Sequence, residues 1–153
     1  MGKQQVEAFF HQIGRDDLRI LEFPVSSATV ELAAVAVGAP AAQIAKTLTL
    51  RLKERNIIVV MSGTARLSNH KFKEHFGCKA KLLKPEEVLA VTGHNIGGVC
   101  PFGLKTRLDV YLDQSLRAFD YVYPAAGEAN NAVKIFVDEF DQLIDASWID
   151  VSE

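Results

Sequence analysis

Lys46-Thr47-Leu48-Thr49-Leu50-Arg51-Leu52-Lys53, then Glu54-Arg55-Asn56, then Ile57-Ile58-Val59-Val60-Met61, is the stretch that decides the fold. Leu48, Leu50 and Leu52 alternate with Thr47, Thr49, Arg51 and Lys53, the period of two that marks a half-buried strand. The polar turn at 54–56 leads into a run that is apolar at every position from Ile57 to Met61, which predicts a central strand covered on both faces. Lys46 shares the parity of the leucines, so its side chain is aimed toward the interior or a pocket.

Upstream of this pair, Val6, Phe9, Phe10 and Ile13 keep helical spacing and stop at Gly14, predicting a helix over residues 3–13. Leu18 to Val25 reads as extended. Thr29 caps a helix over Val30 to Val37, with Glu31 near its positive end and Gly38 as its stop, and a short turn from Pro40 to Ala45 follows. Downstream, a helix is expected from Asn69 to Phe76, a short strand near Lys79 to Leu83, and a helix from Pro85 to Val91 ending at Thr92-Gly93. His94 to Lys105 reads as loop. Leu108, Val110 and Leu112 mark one half-buried strand, and Val133, Ile135 and Val137 another, with a terminal helix near Glu139 to Ile144. Adjacent strand pairs mixed with strand–helix–strand passages fit a mixed α/β sheet flanked by helices better than a doubly wound parallel sheet.

The 153 residues are 48% hydrophobic and 24% charged, which fits one globular domain. A net charge of −2 excludes a histone-like, generally sticky nucleic-acid binder. No apolar run approaches the ~20 residues that span a bilayer, and Met1-Gly2-Lys3-Gln4-Gln5 begins no secretory stretch, so the chain is read as soluble and cytoplasmic, with no membrane partner. Cys78 and Cys100 are too few for a disulfide framework, and His70 and His75, five apart, do not share a helix face as metal ligands would, so no metal is expected. Arg66 to Lys84 carries six cations against Glu74, whereas Asp138 to Glu153 carries six acids and no base. That lopsided charge suits brief docking of a phosphate backbone, although a solvated helix face is the commoner meaning of such a run.

Two places could carry chemistry. An ammonium withdrawn from water, as at Lys46, needs an anion or several acceptors, which a bound phosphate or carboxylate would supply; a lysine at a strand's start that snorkels to solvent satisfies the same parity. Gly93-His94-Asn95-Ile96-Gly97-Gly98-Val99-Cys100-Pro101-Phe102-Gly103 gathers four of the ten glycines into eleven residues. Such a loop can present main-chain N–H groups to an anion or carbonyl oxygen, or form a mobile surface turn. It matches neither the dinucleotide fingerprint nor the Walker pattern. Cys100 and His94 invite a thiol-hydrolase reading, but nothing in the sequence places them in contact and no third orienting group is evident.

In their order, three segments resemble the YbaK/ProX family of aminoacyl-tRNA deacylases, which is related to the editing insertion domain of bacterial prolyl-tRNA synthetases. They are Ser27-Ala28-Thr29-Val30-Glu31-Leu32-Ala33-Ala34 through Gly38, Gln43-Ile44-Ala45-Lys46-Thr47-Leu48, and Thr92 through Gly103. The last contains the family's G-x-x-x-P loop, Gly97 to Pro101, and Gly127-Glu128-Ala129-Asn130-Asn131-Ala132 resembles the turn before its last core strand. The resemblance implies a single mixed α/β domain over residues 1–153, with a partly barrel-like sheet flanked by helices. It implies a hydrolase that cleaves, in trans, the ester of mischarged tRNA, with tRNA(Pro) carrying a small wrong residue such as Ala or Cys as the expected substrate.

By the same resemblance Lys46 holds the phosphate or ribose of the terminal adenosine, while Gly97 and Gly98 serve the ribose and ester carbonyl. Thr47, His94, Val99, Cys100, Pro101 and Asn130 are the expected substrate-binding positions. A vicinal ribose hydroxyl assists the attacking water, so no side-chain nucleophile and no cofactor is required. The implied partners are the aminoacylated tRNA acceptor end and a prolyl-tRNA synthetase. Ser26, Ser27, Asn130 and Cys100 do not single out one subgroup, so the amino acid removed stays open. A non-catalytic module that binds aminoacyl-adenosine or a nucleotide would use the same residues, and only the enzyme predicts turnover.

Overall fold

A computed structural model describes residues 2–153. Helix α1 (Gly2–Gln12) buries Val6 and Phe10. After the short strand β1 (Ile20–Glu22), α2 (Val30–Val37) starts where the Thr29 hydroxyl accepts the Leu32 N–H at 3.2 Å and stops at Gly38. The alternating segment forms β2 (Ile44–Arg51) and the apolar run forms β3 (Asn56–Ser62), paired antiparallel with Lys46 opposite Met61 and Thr47 opposite Val60. Helix α3 (Asn69–Phe76) is capped by the Ser68 hydroxyl and ends at Gly77; α4 (Pro85–Thr92) opens on proline and ends at Gly93.

The rest of the sheet comes from β4 (Asp109–Asp113), β5 (Tyr121–Pro124), β7 (Ile135–Phe136) and β8 (Ala146–Ile149), while β6 (Asn131–Val133) pairs with β1 in a separate ribbon. The main sheet has the order β7-β5-β2-β3-β4-β8 and curls into a half-barrel. The pairs β2–β3 and β5–β7 are antiparallel, while β2–β5, β3–β4 and β4–β8 are parallel, so the sheet is mixed. Ile58 and Val60 of β3 join one core with Val6, Phe10, Phe102 and Phe140, and Ile57, Val59 and Met61 join a second with Leu50 and Phe72. Both faces of β3 are therefore covered, as a strand apolar at every position requires.

Several expectations are corrected. Lys79 to Leu83 is not a strand; it touches β2 by a bridge from Leu82 to Leu50 and two flanking main-chain bonds. The expected strand over Val133, Ile135 and Val137 is broken at Lys134, because β6 pairs with β1 and β7 with β5, and Val137 opens a 3₁₀ turn. The extended stretch 18–25 contracts to β1, and the last helix to α5 (Phe140–Leu143), which β8 follows. The charge asymmetry is smaller in space than along the chain. Lys71 Nζ lies 3.1 Å from Asp150 and 2.7 Å from the Ser152 carbonyl, so part of the acidic C-terminal segment sits on the basic one.

The ends of β4 and β8 are tied by one buried carboxylate. Asp113 accepts the Val151 N–H at 2.8 Å and the Ser115 N–H at 2.9 Å, and is fully buried. Burial pushes its pKa up, but hydrogen bonds from Ser115, Val151 and Ser152 outweigh that and hold it below the usual 3.8. Asp113→Ala strands one buried donor and one partly buried donor and is expected to lower unfolding stability by roughly 2–4 kcal/mol, measured by urea titration at pH 7. The ionised form is the one favoured by folding, so this contribution is present above about pH 3.8 and is lost as pH falls through the lowered native value.

Candidate functional site

A cavity of about 270 Å³ opens beside β2. Its walls are Ser27 to Val30 and Ala33 at the start of α2, Ile44 to Thr49 of β2, Leu82 and Leu83 before α4, Ile96, Gly97 and Val99 of the glycine-rich loop, and Tyr123, Ala125, Asn131 and Ala132. Its lining is mostly apolar, with Leu82 and Ile96 exposed at its rim. The polar side chains are few, and three of them, Lys46, Thr47 and Thr49, lie on β2, the composition expected of a small-ligand site.

Lys46 is half-buried in this wall. Its ammonium donates to the carbonyls of Ala65 at 2.5 Å and Gly63 at 3.3 Å, just beyond β3, leaving one of its three N–H donors uncommitted. Desolvation lowers its pKa, and the field of Glu31 offsets only part of that. Two neutral carbonyls replace water incompletely, and an incoming anion would return what burial removes. Next to it, the Thr47 hydroxyl is buried with no hydrogen-bond partner among the described residues.

The loop reaches the cavity through Gly97 and Val99. Gly97 has φ +85°, and a Cβ there would lie 2.7 Å from that of Ala28, so glycine alone fits against the start of α2. Gly98 plays a different part. Its N–H donates to the Asn95 carbonyl, its carbonyl accepts the Gly127 N–H, both at 2.8 Å, and a Cβ would strike the Glu128 nitrogen at 2.3 Å. Gly98 thus seats the loop on the 127–131 turn. Asn131 shapes that turn: its Oδ1 accepts from the N–H groups of Ala126 and Glu128, and its Nδ2 donates to the Ala126 carbonyl.

The structure therefore brings Lys46, Thr47, Gly97 and Val99 into one wall, with Gly98 behind it, and leaves four expected residues outside. Asn130 is exposed with its amide on the Phe23 carbonyl, while its neighbour Asn131 lines the cavity. Pro101 lines a separate groove with Gln5 and Phe9. His94 and Cys100 are fully buried, and, contrary to expectation, they touch: Sγ lies 3.6 Å from Nε2. The contact does not make a nucleophile. Nε2 also lies 2.7 Å from the Phe102 carbonyl, which fixes it as the N–H donor, and burial pushes the Cys100 thiol up to about 12. Tyr123, Ala125 and Ala132 were not anticipated, because only the pairing of β5 with β2 and of β6 with β1 brings them to the cavity.

No group of His, Cys, Asp and Glu among the described residues is arranged to hold a metal ion, and no described helix is long and apolar enough to cross a membrane. Residues 25–143 match the family profile described as an aminoacyl-tRNA editing domain. The uncharacterized protein YwhH of Bacillus subtilis is 43% identical over 153 residues, 99% of this chain and 97% of its own. A proline–tRNA ligase of Solidesulfovibrio magneticus is 36% identical over 100 residues, which span 63% of this chain and 17% of the ligase. The crystal structure of a protein provisionally described as a trans-editing enzyme for prolyl tRNA synthetase superposes with a TM-score of 0.91 at 32% identity, covering 99% of this chain and 97% of that one.

Two measurements check this geometry. Thr47→Val removes a buried hydroxyl that makes no hydrogen bond, so the melting temperature is expected to stay unchanged or rise slightly; a loss above about 1 kcal/mol would reveal a partner for that hydroxyl. His94 has its pKa lowered, chiefly by desolvation, against opposing effects of the Phe102 carbonyl and Glu128. The unfolded chain then takes up a proton that the native state refuses, so His94 subtracts stability as pH falls below about 6.5. The urea midpoint should fall between pH 7.5 and 5.5 more steeply in the wild type than in His94→Asn, and a steeper fall in the variant would mean that His94 is protonated in the fold.

Proposed function

The chain belongs to the aminoacyl-tRNA editing domain family, and on that premise we propose that it is a trans-editing hydrolase, a single domain that removes a small wrong amino acid, alanine or cysteine, from tRNA(Pro). The observation that carries this reading is the single cavity walled jointly by Lys46 and by the Gly97–Val99 loop. The uncommitted Lys46 donor suits a phosphate or ribose oxygen of the terminal adenosine, and the N–H groups of Gly97 and Val99, which have no main-chain partner among the described residues, suit oxygens of the terminal ribose. The mostly apolar walls of the cavity suit a small apolar side chain, and a pocket of this kind discriminates best against residues too large for it.

The reaction asks little of side-chain chemistry. Water adds to the acyl carbon, the bond from that carbon to the ribose oxygen breaks, one proton of the water ends on that oxygen, and the other leaves as the product carboxylic acid ionises. The vicinal ribose hydroxyl orients the water. The buried Cys100 thiol, with its raised pKa, is consistent with a path that uses no covalent enzyme intermediate. With a net charge of −2, intrinsic affinity for RNA is modest, and a prolyl-tRNA synthetase in the cytoplasm is the partner that would supply charged tRNA.

The test follows ester loss from tRNA(Pro) charged with alanine, cysteine or proline. Alanyl or cysteinyl ester is expected to disappear faster than its spontaneous rate while prolyl ester is spared. Lys46→Ala should lower kcat/KM about 30- to 100-fold, the worth of a charge-assisted hydrogen bond, and replacing the terminal vicinal hydroxyl by hydrogen should slow turnover in the wild type. Binding of aminoacyl-adenosine analogues with no acceleration of any ester would identify a regulatory module instead.

A further inference from the structure

The edge of β2 that faces away from β3 is covered on both sides of one open position. The carbonyl of Ile44 accepts the Gly63 N–H, and the Leu52 N–H donates to the Arg55 carbonyl, so the even-numbered residues of this strand direct their main-chain groups toward β3. By the alternation of an antiparallel pair, Ala45, Thr47, Thr49 and Arg51 direct theirs to the opposite edge. Ala45 is covered there by β5, in register with Pro124. Thr49 and Arg51 are covered by the segment before α4: the Thr49 carbonyl accepts the Leu83 N–H at 3.1 Å, and the Arg51 N–H donates to the Lys81 carbonyl at 2.8 Å.

Thr47 lies between these two coverings and has neither. Its N–H and C=O make no main-chain hydrogen bond among the described residues, and it lines the cavity between Tyr123 and Ala125 on one side and Leu82 and Leu83 on the other. An unpaired strand edge inside an apolar recess is expensive unless something completes it. A donor and an acceptor on one residue are matched together by a single residue only in antiparallel pairing, where opposed residues exchange both bonds. An α-aminoacyl group carries the matching set, one amine donor and one carbonyl acceptor.

Resting on the editing reading above, we propose that Thr47 holds the aminoacyl part of the substrate as a one-residue added strand. Its N–H donates to the ester carbonyl oxygen, and its C=O accepts from the α-ammonium. The side chain of the amino acid then faces the apolar walls, and the free α-amine becomes a requirement for recognition. Substrate class is thereby read by the main chain: esters of α-amino acids are selected over simple acyl esters of the same size, because an acyl group without the amine leaves the Thr47 carbonyl buried and unpaired.

The test uses the intact wild-type protein and two stable amide analogues, 3′-alanylamino-3′-deoxyadenosine and its propionyl counterpart, which differ only by the amine. Titration calorimetry is expected to show the propionyl analogue binding about 10- to 100-fold more weakly. Equal affinities, or no binding of the alanyl analogue, would overturn the proposal. Because these ligands are not hydrolysed, the result is independent of turnover, and failure of the editing reading is read separately in the ester-loss assay.

Discussion

Strand β2 carries a main-chain edge that no single neighbour can cover. On one side β3 pairs with it along its whole length, but on the other β5 reaches only Ile44 and Ala45, and the non-strand segment 81–83 reaches only Thr49 to Arg51. The half-barrel curl separates these two coverings, and the space between them is the cavity. Everything else at the site is arranged around that gap. The start of α2 closes one wall, the glycine loop another, and the turn before β6 backs the loop through Gly98 and Gly127.

The electrostatics follow from the same register. Because Lys46 is opposite Met61, its side chain ends beside the connection after β3, where the carbonyls of Gly63 and Ala65 hold the ammonium at the cavity wall. Carbonyls fix its position without neutralising it, which leaves a preorganised cation for an anionic ligand. Cys100 and His94 illustrate the opposite case. They are in contact and chemically suggestive, but both are enclosed by the core that α1 and Phe102 complete, and burial keeps the thiol protonated and the imidazole neutral. Adjacency without access is packing.

What was legible in the sequence is what local interactions determine. Thr29 and Gly38 bound α2, Ser68 and Gly77 bound α3, and Pro85 and Gly93 bound α4, because caps are contacts within one turn of the helix they end. The parity of Lys46 was visible for the same kind of reason, whereas composition left the glycine loop open between a cradle and a surface turn, because its seat depends on the distant Ala28 and Gly127. The strands β5 and β8 were not anticipated, since Tyr121–Pro124 and Ala146–Ile149 are short and acquire their identity from β2 and β4. The break at Lys134 and the placement of Asn131 rather than Asn130 in the cavity depend on a switch from one sheet to the other, which no alternation pattern encodes. The opening at Thr47 depends on where two separate segments stop.

That opening is directly measurable by amide hydrogen exchange in the ligand-free protein. The amides of Lys46 and Leu48 point toward β3, whereas that of Thr47 faces the cavity unpaired. The account predicts strong protection at 46 and 48 and exchange at 47 faster by orders of magnitude. Equal protection at all three positions would mean that the edge of β2 is closed and that no slot for a substrate exists there.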